Sequence, residues 1–188
     1  MKRIILGSNS PRRRELLAGL DIDFTVDTGN TFEESLEPGL EAHEVPLHLS
    51  AGKSHGFHRP LERDEVLITS DTVVIVDGEV LGKPHSREEA VEMLRRLSGR
   101  AHEVVTAVTL RDCAKEETFS DSTQVHFEPL TQEQIDYYVD RYRPFDKAGA
   151  YGIQEWIGYV GISSIEGSFY NVMGFPVHRV WKELQQFL

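Results

Sequence analysis

Apolar positions along the chain switch between a period of two and a period near 3.6, and those switches predict the element order. Arg3 to Leu6 is a short apolar run fit for a strand, and Ser10 followed by Pro11 is the start signal of a helix. That helix, RRRELLAGL, carries Leu16, Leu17 and Leu20 on one side, and IDFTVDT after it returns as a strand, giving β–α–β order. The stretch from Asn30 to Pro46 is acidic and broken by Pro38-Gly39, so it reads as a connector. A weak helix is predicted from Leu47 to Phe57, with Gly52 and Gly56 counting against it. Val66 to Ser70 is a buried-strand pattern, and Val73 to Val76 and Glu79 to Leu81 flank the hairpin turn Asp77-Gly78. Ser86 and Glu89 form a capping box ahead of a helical stripe of Ala90, Val91, Met93, Leu94 and Leu97, closed by Gly99. HEVVTAVTL and STQVHFEPL alternate as strands; Thr131 and Gln134 then form a second capping box before IDYYVDRY, which Pro144 ends. WIGYVGISSIEGSF reads as one or two short strands with glycine turns, and VHRVWKELQQFL as a helix with Val177, Val180, Trp181, Leu184 and Phe187 on a core face. The expected fold class is α/β: a mixed sheet covered by helices.

Composition narrows the class. With 188 residues, 39% of them apolar, the chain can bury one good core without disulfide or metal, so residues 1–188 are expected to form a single domain, with room for two lobes. The single Cys113 lies in the polar stretch RDCAKEE, which excludes a disulfide framework and points to a reducing compartment. The N-terminus shows no secretory pattern and no apolar run approaches a membrane span, so the expected location is cytoplasmic with no membrane partner. A net charge of −11 argues against wrapping a nucleic-acid polymer and leaves a local arginine cluster for a small anion.

That cluster is Arg12, Arg13 and Arg14, in the first turn of a helix, where the positive end of the dipole opposes cations. A bound anion reverses the sign, because free N–H groups, the Ser8 and Ser10 hydroxyls and an arginine fork make a phosphate cradle; the alternative is a solvated basic helix end. On this reading, removing Arg13 spares the unliganded fold. Asp71 interrupts a run of β-formers, where an aspartate is costly unless it is paired, binds a cation or sits in a turn. Lys83-Pro84 follows the hairpin, and in DKAGAYGIQ small residues surround Asp146, Lys147 and Gln154, which offer hydrogen-bonding groups. His55 and His58 have no cysteine companions and read as surface histidines. The Walker loop, the dinucleotide GxGxxG and the GxSxG elbow are all missing. The remaining inventory suits phosphoanhydride hydrolysis, with cations and Mg²⁺ or Mn²⁺ neutralising phosphates while a carboxylate activates water. From the residues alone this reaches a nucleotide or phosphoester hydrolase.

The strings LGSNSPRRRELL, SDTVV, GKP, LRRLSG with HEVVTAV, and DKAGAYGIQ occur in an order that resembles the Maf family of nucleoside triphosphate pyrophosphatases, from about Ile4 to Pro176. The resemblance implies an elongated α/β fold related to the inosine triphosphatases, often as a homodimer, with a nucleotide cleft between lobes. It implies hydrolysis between the α and β phosphates, with a divalent cation. By the same resemblance Asp71 is the proton acceptor and a metal ligand; Ser8, Arg12, Arg13, Lys53 and Lys83 bind phosphate; and Glu33 binds metal. Arg13, Thr72 and Gln154 together resemble the branch acting on dTTP and UTP, and a hydroxyl and an amide can both donate to and accept from a pyrimidine edge. The alternatives are 7-methyl-GTP as substrate, or a nucleotide-binding, septum-related interaction protein with incidental hydrolysis.

Overall fold

Parallel pairing around β1 (Arg3–Leu6) organises the first part of the chain. In the computed structural model, which describes residues 2–35 and 39–188, β1 pairs in parallel with β2 (Phe24–Val26) and with β3 (Glu65–Val76). Ile4 stands opposite Phe24 on one side and Val66 on the other. Helix α1 (Pro11–Ala18) makes the crossover between β1 and β2. Pro38, read above as breaking the acidic connector, lies outside the described residues. Among those residues the sheet has seven strands in the order β2-β1-β3-β5-β6-β7, where β5 is Ala101–Arg111, β6 is Glu116–Phe127 and β7 is Ile162–Glu166. Strand β4 (Glu79–Leu81) pairs antiparallel with β3 through the Asp77-Gly78 turn, whose φ angles of 54° and 76° are those of a two-residue hairpin.

The chain forms two compact units. The first comprises Met1–Asp71, Thr106–Asp121 and Gly174–Leu188. It buries Ile4, Ile5, Leu6 and Leu17, together with Leu49 of α2 (Glu44–His55) and Val180 and Leu184 of α7 (Val177–Leu184). The second comprises Thr72–Val105 and Ser122–Met173. Its core joins Ala90, Leu94 and Leu97 of α3 (Arg87–Leu97) to Ile135, Tyr138 and Val139 of α4 (Gln132–Tyr142) and to Val104, Val125 and Phe127 of the sheet. Truncating a buried leucine such as Leu94 in such a core costs about 2–5 kcal/mol.

Several expectations change. Val66–Ser70 and Val73–Val76 are one continuous strand, so Asp71 sits within β3 and not in a turn. Helix α2 begins at Glu44, three residues before the predicted start, with Pro46 in its first turn where a missing N–H is harmless. WIGYVG is helical as α5 (Trp156–Gly161), followed by strand β7 and the short α6 (Phe169–Val172). Periodicity cannot separate a short buried helix from a strand in the sequence; in the fold Ile157 and Gly161, four residues apart, are buried and the residues between them are not. Trp181 is 43% exposed and so is not core, whereas Val180, Leu184 and Phe187 are buried. At α3 only half a capping box forms: the Ser86 hydroxyl accepts from the Glu89 N–H, but the Glu89 carboxylate accepts from the His85 N–H and not from that of Ser86. The box at Thr131 and Gln134 is complete.

Candidate active site

In the first unit the loop after β1 is built for close approach. A Cβ on Gly7 would meet Thr69 Cγ2 at 3.0 Å, so a side chain there would crowd Thr69 of β3. Ser8 is buried, and its Oγ accepts from the Ser10 N–H at 3.3 Å and from Arg13 Nη1 at 3.3 Å. Ser10 caps α1 by accepting from the Arg13 N–H, and Pro11 takes the first helical position. Arg13 is half-buried and turns inward. It donates from Nε to the Gly174 carbonyl at 2.9 Å and from Nη1 to the Ser70 carbonyl at 3.0 Å. Burial pushes its guanidinium down to about 10, against the raising pull of Asp71, so it stays cationic at neutral pH. Arg12 is half-buried and Arg14 is exposed. Two backbone carbonyls take hydrogen bonds from Arg13, which argues against the expectation that it is dispensable for folding.

One residue after the Ser70 carbonyl, Asp71 Oδ1 accepts from Lys53 Nζ at 2.6 Å. Lys53 Nζ also lies 2.9 Å from Glu34 Oε1, so one ammonium gathers two carboxylates. This pairing allows an aspartate in a run of β-formers. Lys53 comes from α2, which buried hydroxyls fix against β3. Ser50 Oγ donates to the Thr69 carbonyl at 3.3 Å and lies 2.8 Å from Thr109 Oγ1, and Thr69 Oγ1 donates to the Ser50 carbonyl at 2.8 Å. Glu33, which the sequence offered as a metal ligand, and its neighbour Glu34 are both exposed, and Glu34 is the acid paired with Lys53. A connector has no periodicity to decide between adjacent acids, so nothing in the sequence distinguished them. Ser70 Oγ is buried with no hydrogen-bond partner among the described residues.

In the second unit Thr72 continues β3 and is half-buried, and Lys83 is exposed just beyond β4. The Gly149 N–H donates to the Gly82 carbonyl at 3.0 Å, joining the DKAGAYGIQ loop to the residue before Lys83. Gly149 has φ of 67°, and a Cβ there would meet Val74 Cγ2 at 2.8 Å, so both conformation and space require glycine. Lys147, nearly buried, pairs with Asp146 at 2.9 Å and Glu155 at 3.1 Å. Glu155 also accepts from the Tyr138 phenol, which in turn accepts from the Gly152 N–H at 3.0 Å. Burial, reinforced by Glu155, pushes the Tyr138 phenol up, keeping it a donor. The sequence flagged Lys147 but neither Tyr138 nor Glu155. Gln154, between these anchors, has its amide oxygen buried without a hydrogen-bond partner among the described residues. A cavity of about 320 Å³ is lined by Ile153, Gln154, Tyr159, Ile162, Ile165 and Phe169.

His55 and His58 are exposed and pair with Glu116 and Asp27, as surface histidines do. Among the described residues no group of three or more His, Cys, Asp or Glu is placed to hold a metal ion by itself. No described helix is long and apolar enough to cross a membrane.

The mixed sheet and its helices match solved structures of low sequence identity. The Ham1 protein of Staphylococcus aureus aligns over 98% of this chain and 100% of its own with a TM-score of 0.52 at 16% identity. A HAM1 protein from Coxiella burnetii aligns over 99% and 100% with a TM-score of 0.50 at 15% identity. These likenesses define the fold class, that of Ham1-like α/β proteins. Within it, the family model described as Maf-like protein matches residues 3–187, and the chain belongs to the Maf family. A Porphyromonas gingivalis protein named dTTP/UTP pyrophosphatase is 53% identical over 187 residues, covering 98% of this chain and 94% of its own. A Bacteroides thetaiotaomicron protein of the same name is 50% identical over 184 residues, covering 98% and 95%.

Proposed function

We propose that this chain is a nucleoside triphosphate pyrophosphatase that hydrolyses dTTP and UTP to the monophosphate and pyrophosphate in the cytoplasm. The observation that carries the reading is the Lys53–Asp71 pair beside the inward-facing Arg13: an oriented carboxylate within a group of cations. Lys53 engages Asp71 Oδ1, and Oδ2 is the atom assigned to the attacking water. Water adds across the α–β anhydride, its proton passes to Asp71, and pyrophosphate leaves with the bridging oxygen. Ser8, Arg12, Arg13, Lys53 and Lys83 are assigned to the phosphates. Thr72, Gln154 and Arg13 are assigned to selectivity. The unpartnered Gln154 amide oxygen supports that role, since uracil and thymine offer an N3–H that needs an acceptor and cytosine does not.

The acids gathered on Lys53 fit a divalent cation that is completed by phosphate oxygens, because Mg²⁺ takes one or two carboxylates plus substrate and needs no protein cage. Asp71 and Glu34 would hold it, with Glu33 adjacent. When bound, Mg²⁺ or Mn²⁺ supplies neutralisation of phosphate charge. The homodimer implied by the family resemblance is part of the same proposal and is checked by light scattering.

The test is pyrophosphate release from dTTP, UTP, CTP, ATP, GTP and 7-methyl-GTP with Mg²⁺ or Mn²⁺. Turnover of dTTP and UTP is expected, with Asp71→Asn losing about 10²–10⁴-fold in kcat while the fold persists. Folded protein that releases pyrophosphate from neither nucleotide, or that prefers 7-methyl-GTP, overturns the reading.

A further inference from the structure

Two glycines in α2 are unexplained by backbone conformation. Gly52 is inside the helix and Gly56 caps it at φ of −79°, which any residue adopts. Their purpose is space. A Cβ on Gly52 would lie 2.3 Å from Cζ of the Phe32 ring, and one on Gly56 would lie 2.6 Å from Phe32 Cβ. The tip of the ring therefore occupies the place of a Gly52 side chain, and His48, one turn earlier, stands edge-to-face with it at a centroid distance of 6.2 Å.

Around the ring, residues 29–32 are zipped to the end of α2. The Asn30 amide donates to the Lys53 carbonyl at 2.6 Å, and its oxygen accepts from the Phe32 N–H at 2.8 Å. The Thr31 N–H donates to the Gly56 carbonyl at 2.8 Å, and the His58 N–H donates to the Gly29 carbonyl at 3.1 Å. Two residues beyond Phe32, Glu34 reaches Lys53 Nζ, which holds Asp71. A helix that accepts glycine at an interior position loses intrinsic stability, so a function for the space is required.

We propose that Phe32, seated on Gly52 and Gly56, is a positioning residue that fixes Glu34 and, through Lys53, sets the Asp71 carboxylate for turnover. The inference rests on the catalytic assignment of Asp71. It predicts that filling the space harms catalysis without harming the fold, because alanine is a better helix former than glycine.

The experiment compares wild type, Gly52→Ala, Phe32→Ala and the pair Gly52→Ala with Phe32→Leu, whose shorter side chain clears the added methyl. Three quantities are read: amide hydrogen exchange of residues 29–35, kcat and KM for UTP, and thermal midpoint. Both single variants should exchange about tenfold faster at Thr31 and Phe32. Each should lose about tenfold to a hundredfold in kcat. Any rise in KM should be smaller than the loss in kcat, because the latch reaches only Lys53 among the phosphate-assigned residues and none of the assigned base-reading residues. The pair should recover part of the kcat, and the midpoint of Gly52→Ala should not fall. Faster exchange with unchanged kcat overturns the proposal, as does a loss of kcat without faster exchange, or a fall of midpoint, kcat and binding together. A wild type that turns over neither UTP nor dTTP refutes the substrate reading instead, and the exchange comparison then decides the latch alone, unchanged exchange overturning it.

Discussion

Replacing Arg13 by alanine should destabilise the unliganded protein, and the size of the loss follows from what the guanidinium holds. Its Nε and Nη1 donate to the carbonyls of Gly174 and Ser70 at 2.9 and 3.0 Å, and Nη1 also reaches the Ser8 hydroxyl. A hydrogen bond from a charged donor is worth about 1.5–3 kcal/mol. Against this stands the burial that depresses the guanidinium to about 10, a cost that truncation relieves. Water can also reach part of a half-buried site and re-satisfy the carbonyls. The net expectation is about 3 kcal/mol, which for a chain of this size lowers the thermal midpoint by about 6–12 °C. Arg14→Ala, at an exposed position of the same turn, is the control and should move the midpoint by about 2 °C or less, as surface substitutions do. Calorimetry without nucleotide measures both, and kcat/KM for UTP measures the functional loss separately. Arg13→Lys keeps the charge but cannot span two carbonyls, so it should fall between. A midpoint for Arg13→Ala within about 2 °C of wild type, with activity lost, would refute the structural role and return the residue to the substrate alone.

Two further outcomes are expected. His102 is buried against Phe127 and Tyr151, and burial, with a smaller contribution from His126, holds its imidazole down at about 4, against 6.5 for a free histidine. The unfolded chain therefore binds the extra proton first, so the stability is fully present above pH 6.5 and is lost as pH falls toward 4, by about 3 kcal/mol. Urea titrations at pH 7 and 4.5 should show a smaller pH difference in His102→Gln than in wild type; equal differences would contradict the assignment. Ser50→Ala removes a hydroxyl that bonds the Thr69 carbonyl and meets Thr109 in a fully buried place, and should cost about 1–3 kcal/mol in urea unfolding. A change below about 0.5 kcal/mol would show that the hydroxyls do not secure α2 to β3.

What the sequence made legible follows from how local each signal is. The Asp77-Gly78 hairpin, the Thr131 box and the stripe of α3 are written within a few residues, and they stand where the pattern put them. Asp71 announced itself by interrupting β-formers, but its partner Lys53 is 18 residues away on a helix whose glycines argued against it. Those glycines were read by propensity, and propensity lost to the approach of Phe32. The sequence named Glu33 as a metal ligand and gave Lys53 no acidic partner; that partner is Glu34, and an irregular connector carries no period from which to single it out.

Arg13 shows the limit most sharply. The conflict between three cations and a helix dipole is visible in the sequence, and it is a true signal that something outside the helix compensates. The dipole argument cannot say what compensates. For Arg13 part of the answer is two carbonyls 57 and 161 residues away along the chain, separations that no local pattern encodes. An arginine held in this way presents a fixed charge beside Asp71, and a fixed charge has little reorganisation left to undergo when a phosphate arrives. With the phosphate role proposed for Arg13, anchoring and anion binding would be one property of the residue, so the lost midpoint and the lost turnover of Arg13→Ala should have a common origin. Arg13→Lys, keeping the charge but not both anchors, should lose more kcat than its charge alone explains.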